Sequence, residues 1–405
     1  MIEGAGTVLR LIRDGHANTR GALAQRTGMS RSTLSERVHA LLSLDLVREV
    51  DGAQSTGGRP PATLTFNDEA GVVLVADVGA TRCRLAVCDL APVALAEQEL
   101  TMDPARAPET LLAELDARFG ALLAECDEPP ARVMGVGLAL PGPVAAGRGA
   151  RVRSELLPER PAFSVTGSPV LVDSRANAMA LGEYWTHRRD ADPLLFVEAW
   201  PGLACGIVSA RGLHRGAHGV AGDIAHIRVA GRDDPCRCGN AGCLEAVAGG
   251  AALAARLSAA GLPARTGRDV VALAGAGEPL AIQAVREAGR ALGEVLAECV
   301  NLLNPSAIVL GGELAGCAEQ LLAGVRETTI RRSLPLAARH LDVGCSQLGP
   351  RAGLIGAAVL VVDHLMAPEN IDHEVRRWSD RRSTYRRRSP KSWATNGNRS
   401  ADQQV

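Results

Sequence analysis

Three cysteines, Cys236, Cys238 and Cys243, fall within eight residues, and His226 lies shortly upstream. Thiolate sulfur and imidazole nitrogen are the donors Zn²⁺ prefers, and four of them close a tetrahedral structural site. Gly239 and Gly242 let the chain fold back so that Cys243 can meet Cys236 and Cys238 on one ion. The spacing therefore predicts one structural zinc, held by His226, Cys236, Cys238 and Cys243. A disulfide framework fits less well. The other seven cysteines are scattered singly, and no charged-then-apolar leader opens the sequence.

A second set of residues has the types needed to read nucleic acid. Thr19 is placed to cap a helix that passes Leu23 and ends at Gly28. Ser30 caps the next, in which Leu34, Val38, Leu41 and Leu42 recur at helical spacing. Helix, tight turn and helix make a helix-turn-helix, whose second helix enters the major groove by its start. Arg31, Ser32, Thr33, Ser35 and Arg37 are the positions predicted to be exposed there. Arginine can pair with guanine, and hydroxyls can reach phosphates or bases. Beyond Val50, the segment Gly57-Gly58-Arg59-Pro60 forms the tip of a predicted hairpin wing, with Arg59 suited to an AT-rich minor groove. Residues 1–67 hold eight Arg against six acids, so the helix spacing and the wing, not the charge, point to duplex DNA. The plainer alternative is a helical protein-interaction module with solvated arginines.

The run Gly216-Ala-His-Gly219-Val-Ala-Gly222-Asp-Ile-Ala-His226, followed by Cys-x-Cys-Gly-x-x-Gly-Cys-Leu-Glu245, resembles the signature of the ROK family (repressors, open reading frames and kinases). The resemblance runs from about residue 5 to 365 and implies an actin-like scaffold shared by sugar kinases and transcription regulators. It also implies a ligand site, with Asp223, His226 and Glu245 at the family's sugar-contact positions. Asp77, Gly79 and Thr81 match its first phosphate motif, and Gly311-Gly312 its adenosine-side turn. The kinases of the family carry Asn-Asp-x-Asn after the strand that here is Val170-Leu-Val-Asp173, and the Asp acts as base on the sugar hydroxyl. This chain has Ser174-Arg175-Ala176-Asn177. Arg175 thus stands where that base should be, and a guanidinium cannot accept the proton. The family's Gly-Thr-Gly-x-Gly turn corresponds to Pro201–Gly206, where the hydroxyl is lost and a proline lacks its amide hydrogen.

Two losses in one reaction argue against an enzyme. The leading reading is a DNA-binding transcription regulator, a repressor of carbohydrate-related genes that responds to a small effector. The alternative is a ROK carbohydrate kinase with an added DNA-binding domain. A third reading is a zinc-stiffened dimerisation scaffold without a ligand. With Ser174 and Arg175 in the pocket, the expected effector is sugar-derived and acidic or phosphorylated, because Arg presents a charged planar fork to such groups. Pairing of Arg175 with Asp223 or Glu245 would instead neutralise and close the cavity, leaving a vestigial pocket.

The elements that must position these residues define the expected fold class: α/β, with an N-terminal winged helix-turn-helix before a two-lobed actin-like body of the sugar kinase, actin and heat-shock-type ATPase kind. The expected boundaries are 1–67 for the DNA-binding domain, 71–180 and 181–366 for the lobes, and 367–405 for a disordered basic tail. Residues 376–399 carry eight Arg and one Lys against a single Asp. No apolar run approaches the roughly eighteen residues that span a bilayer, and unpaired cysteines fit a reducing cytoplasm. The net charge of −1 means that any DNA contact must come from a local patch. A homodimer or dimer of dimers on a double-stranded operator is the expected assembly.

Overall fold

The structure is a computed structural model that describes residues 4–50, 62–102, 107–142, 144–146, 152–153, 157, 161–313 and 318–388. Arg59 and the wing tip lie outside the described residues. The chain forms two compact units, one built from both ends (residues 1–67 and 365–405) and one from residues 68–364.

The first unit opens with α1 (Ala5–Arg13), α2 (Arg20–Thr27) and α3 (Arg31–Ser43). The two caps expected from the sequence are present. Thr19 Oγ1 accepts the amide of Ala22 at 3.3 Å, and Ser30 Oγ accepts that of Thr33 at 3.2 Å. Gly28 ends α2 at a φ of 68°, a left-handed conformation that costs glycine least. β1 (Val47–Val50) and β2 (Thr63–Phe66) then pair antiparallel, Val47 opposite Phe66, as the base of the hairpin.

The second unit starts with β3 (Val72–Val78), β4 (Arg82–Cys88) and β5 (Ala94–Thr101), a meander followed by α4 (Pro108–Glu125) and β6 (Val133–Leu140). After a short hairpin of β7 (Ala145–Ala146) and β8 (Val152–Arg153) comes β9 (Val170–Ser174). The sheet order is β5-β4-β3-β6-β9, antiparallel up to β3 and parallel from there. β3 is buried along its whole length, which is why its sequence is an unbroken apolar run and not an alternation. Leu115 and Phe119 of α4 close one face against Leu74, Leu85 and Leu138.

From α5 (Arg175–His187) the chain builds a second sheet of β10 (Leu194–Ala199), β11 (Leu203–Ser209) and β12 (Gly212–Leu213). A helical stretch follows: α6 (Leu244–Ala248), α7 (Gly250–Ala259), α8 (Gly267–Gly275) and α9 (Pro279–Leu303). Then come β13 (Ala307–Gly312), α10 (Ala318–Arg332), α11 (Pro335–Ala338), β14 (Asp342–Cys345) and α12 (Ala352–Leu365). The order β12-β11-β10-β13-β14 repeats the plan of the first sheet, three antiparallel strands and then two parallel ones. This is the two-lobed actin-like architecture.

Two helices stitch the lobes together. α5 leaves the first sheet but packs Met179, Ala180 and Tyr184 against Phe196 and Val208 of the second, so the expected boundary after residue 180 falls inside one helix. α12 crosses α5 so closely that a Cβ on Gly356 would lie 1.6 Å from the carbonyl oxygen of Ala178, and it also approaches Gly137 of β6. Glycine is the one residue that permits such approach.

The described residues end in α13 (Pro368–Arg388), where the start of a disordered tail was expected; the rest of that expected tail, 389–405, lies outside the described residues. Ile371, Val375 and Trp378 recur at helical spacing, and the first two are fully buried; the surrounding arginines hide that stripe from a compositional reading. α13 belongs to the first unit. Its Asp372 accepts the amides of Gly4 and Gly6 at 2.9 Å each, and Trp378 meets His39 of α3 edge-on at 6.0 Å. α1 has no side-chain cap of its own, so a residue from the far end of the chain satisfies its first amides and complements its dipole. Asp372→Ala is expected to lower unfolding free energy by about 1–2 kcal/mol in urea, with faster hydrogen exchange concentrated in α1. Unchanged exchange in α1 would contradict the capping role.

Candidate functional site

Between the lobes lies a cavity of about 320 Å³, lined by Ser174, Arg175, Glu198, Asp223, His226 and Glu245 among others. Its position follows from the fold. β9 delivers Ser174 and Arg175 to the head of α5, and β10 delivers Glu198 near its C-terminal end. Gly222 places Asp223 and His226 on the opposite rim. Its φ is 92°, and a Cβ there would lie 1.8 Å from the carbonyl oxygen of Cys205, so glycine is required on two counts. Glu245, at the start of α6, accepts the amide of Leu203 at 2.9 Å. Burial raises its pKa, with the Leu203 amide opposing. Ser174 caps α5, its Oγ accepting the amide of Asn177 at 3.2 Å. The three residues at the family's sugar-contact positions, Asp223, His226 and Glu245, and the two that depart from its pattern, Ser174 and Arg175, therefore line one cavity.

The state of Arg175 corrects the expectation for that ligand. The guanidinium is buried, donating from Nε to Asp77 at 2.7 Å and from Nη1 to Glu198. Burial alone would lower its pKa; Asp77 and Glu198 outweigh burial and raise it. Glu198 is raised, first by burial, with Arg175 pulling the other way. A cation already flanked by two carboxylates offers no surplus charge to an acidic or phosphorylated effector, so that preference loses its physical basis. The internal partners are also not Asp223 or Glu245, as the alternative had it. Glu198 was legible only as a lone acid in the apolar run Leu194–Ala199.

The phosphate side of the cleft is used up in the same way. Asp77 is occupied by Arg175, and the Gly79 amide donates to the carbonyl of Arg82 at 2.7 Å. A Cβ on Gly79 would lie 3.8 Å from the Arg175 guanidinium carbon, so Arg175 packs beside this turn. Next to it a second cavity of about 520 Å³ is lined by Gly311, Gly312, Arg268 and Glu313, the last two joined by bonds of 2.7 and 2.8 Å. Asp173 does not replace the missing base. It is buried and held by Asn177 at 2.7 Å and by Arg215 at 2.8 Å.

On the far side of His226 is the cysteine cluster. One donor atom from each of His226, Cys236, Cys238 and Cys243 lies within 4.8 Å of all the others. Two separations are known closely, 3.6 Å from His226 Nδ1 to Cys236 Sγ and 3.7 Å from Cys238 Sγ to Cys243 Sγ. A tetrahedral zinc site with bonds of about 2.3 Å has edges of roughly 3.8 Å, so the donors fit the ion. Gly242 turns the loop at a φ of 73°, where a Cβ would lie 2.3 Å from the carbonyl oxygen of Arg232. The Cys238 thiol is lowered to about 7, first by the amide of Asn240 and then by the neighbouring thiols and His226.

In the first unit Arg31, Ser32 and Ser35 are exposed and Thr33 is half-buried. Arg37 departs from expectation. It is buried at 7% exposure, with Nη1 3.7 Å from Glu36, because position 37 lies next to the packed Val38 and Leu41 on the inner face of α3. It is not an exposed DNA-reading side chain.

The model of the ROK family matches residues 73–364. Over 380 residues the chain is 27% identical to a putative xylose repressor of Caldicellulosiruptor sp. (strain Rt8B.4), covering 89% of this chain and 95% of that one. It is 27% identical over 378 residues to the N-acetylglucosamine repressor of Escherichia coli O157:H7, with 88% and 91% covered. A solved ROK family transcriptional regulator, a homolog of the E. coli MLC protein, aligns with a TM-score of 0.76 and 26% identity over 92% of this chain and 98% of its own. A ROK family glucokinase from Streptomyces griseus, solved with glucose and AMPPNP, aligns with a TM-score of 0.58 and 28% identity over 72% of this chain and 99% of its own.

Removing Arg175 tests the buried triad. Arg175→Ala strands two carboxylates and is expected to cost about 3–5 kcal/mol. A carboxyl whose folded pKa is raised, like Glu198, favours the folded state below its unfolded pKa, and that contribution is lost as pH rises through the folded value. Without Arg175 the rise is larger, so the deficit of the variant is greatest near pH 7 and shrinks towards pH 5. Urea unfolding of both proteins at both pH values reads this, and a deficit independent of pH would contradict it.

Proposed function

The chain belongs to the ROK family, and from that premise we propose that it is a DNA-binding transcriptional repressor whose kinase-like body senses a sugar-derived ligand without phosphorylating it. The observation that carries the reading is the capped helix-turn-helix of α2 and α3. The regulator among the solved structures aligns over 92% of the chain. The glucokinase aligns over 72%, about the share that residues 68–364 make up. Arg175 supports the same side, since a guanidinium held by Asp77 and Glu198 cannot serve as a base on a sugar hydroxyl.

Arg31, Ser32 and Ser35, with Thr33 beside them, are the side chains assigned to base edges and phosphates, and Arg59 is assigned to the minor groove. Ser174, Asp223, His226 and Glu245 are assigned to the ligand. Carboxylates and an imidazole suit the hydroxyls of a neutral sugar, and the cavity volume lies at the small end of the range for ligand sites. Arg175 and Glu198 form the cavity's charged wall. A structural zinc on His226, Cys236, Cys238 and Cys243 would fix the loop that carries His226 into the cavity, so that one residue serves the metal and the ligand. The domain reading is residues 1–67 with the packed part of α13 for DNA, and the two lobes for sensing. A homodimer or dimer of dimers on a two-fold-related operator is the assembly this reading carries, acting in the cytoplasm.

Genomic fragments retained by the purified protein are expected to share a two-fold-related site beside carbohydrate genes. Arg31→Ala should weaken binding to that site by about 1–3 kcal/mol without moving the melting temperature. Fragments with no common site would contradict the reading. For the metal, elemental analysis is expected to find about one zinc per chain, and Cys238→Ser should lose it and melt at a lower temperature. A native preparation free of zinc would refute the metal assignment while leaving the DNA reading standing.

A further inference from the structure

We propose that the corner of the second unit formed by the ends of α9 and α10 and by α11 is the surface on which two copies of this chain pair about a two-fold axis. The inference rests on the repressor reading for its homodimer and two-fold operator, and deepens it by naming the surface that joins the copies. Four of the nine large apolar side chains that the described residues expose belong to this corner: Leu302, Ile330, Leu334 and Leu336. Leu302 is 83% exposed and Leu336 72%, the two highest values of the nine. Aliphatic groups held in water gain nothing for the folded chain, and a cluster of them marks a surface that is covered in use.

The helices dictate the placement. Glu294, Glu298 and Leu302 recur every four residues along one side of α9. The end of α10 is fastened to that side. Arg332 Nη1 donates to Glu294 at 2.9 Å, and the amide of Leu334 donates to Asn301 Oδ1 at 2.8 Å. Leu334 and Leu336 are thereby held beside the last turn of α9, around a groove of about 580 Å³ that Val300 and Ala337 also line. Ser333 lines the same groove. It is 7% exposed and its hydroxyl has no hydrogen-bond partner, which is uncommon for a buried polar group.

The occupant that suits this surface is a second copy. A two-fold interface presents one patch twice, so the patch must fit itself. This one carries a projecting leucine, Leu302, and an aliphatic groove beside it, so Leu302 of each copy enters the groove of the other. The charges fit in the same sense. Glu298 and Arg331 are exposed here, and among the described residues neither has an ion-pair partner. A two-fold axis sets Glu298 of each copy against Arg331 of the other, which completes both ion pairs at once. The neighbouring charges are already neutralised within the chain, Arg332 by Glu294 and Arg290 by Glu327, so no surplus charge repels the second copy.

Sedimentation equilibrium over a series of protein concentrations tests the surface. The full chain is compared with Leu302→Asp, Leu336→Asp and, as a control, Val93→Asp, which changes an exposed valine outside this corner. The expected result is a dimer that both leucine variants weaken by about a hundredfold or more and that Val93→Asp leaves unchanged. The circular dichroism of all three should match that of the full chain. A charge exchange decides the matter even if a leucine variant fails to fold. Glu298→Arg is expected to weaken the dimer by about tenfold or more, and adding Arg331→Glu to restore it, a rescue that an effect on the fold of one copy would not produce. A full chain that stays monomeric overturns the proposal, and leaves the patch to a different protein. So does a dimer that Leu302→Asp leaves intact or that Val93→Asp weakens equally, and so does a Glu298→Arg chain that dimerises unchanged or is not restored by the second exchange. Genomic fragments retained by the full chain are sequenced alongside. Fragments with no common site refute the repressor reading whatever the dimer does, whereas a shared two-fold site with a dimer indifferent to Leu302→Asp refutes the surface alone.

Discussion

A single buried guanidinium joins the two halves of the body. Asp77 lies near the C-terminal end of β3 and Glu198 near that of β10, and β3 and β10 hold the same central place in two sheets of identical order. Arg175 reaches both from the head of α5. Within the low dielectric of this site both carboxylates stabilise the guanidinium, and its removal leaves two like charges uncompensated. Asp77, which matches the family's first phosphate motif, is here engaged by Arg175 and joined through it to Glu198 of the other lobe. The residue that stands in place of the catalytic base also packs against the first phosphate turn at Gly79; the second loss, at Pro201–Gly206, is separate from it.

What remains of the old active site is suited to sensing. The cavity shares Arg175 and Glu198 with the triad and His226 with the cysteine cluster, so a molecule entering it meets both devices that fix its walls. α12 packs against α5 at Gly356, and two residues after α12 ends the chain begins α13, whose Asp372 holds the start of α1. The body is thus tied covalently to the DNA-binding unit at both of its ends. A ligand that shifts the body can bias that unit only by as much as it binds one state better than the other.

Much of this was legible in the sequence, and the rest was not for physical reasons. The Thr19 and Ser30 caps, the buried β3 and the four metal donors are local signals, set by residue type and short spacing, and each reappears in the structure. The loss of the base at Arg175 was legible because it lies within a motif. Its partners were not, since Asp77 and Glu198 stand 98 and 23 residues away. Arg37 was misplaced because a polar residue beside a packed face reads as exposed until the neighbouring elements are known. α13 was hidden by composition, because seven arginines between 376 and 388 outweigh three well-spaced apolar residues.

The central claim is that this body reads a sugar and passes the information to DNA without chemistry. The most direct measurement titrates neutral sugars, sugar acids and sugar phosphates into the protein bound to its selected duplex, with ATP and Mg²⁺ present, and analyses both the DNA occupancy and the recovered sugar. The account predicts that one neutral sugar changes DNA affinity by about five- to a hundred-and-fifty-fold, the usual range of coupling between two sites, and is recovered unphosphorylated. A phosphorylated product, or occupancy that no sugar moves, would contradict it.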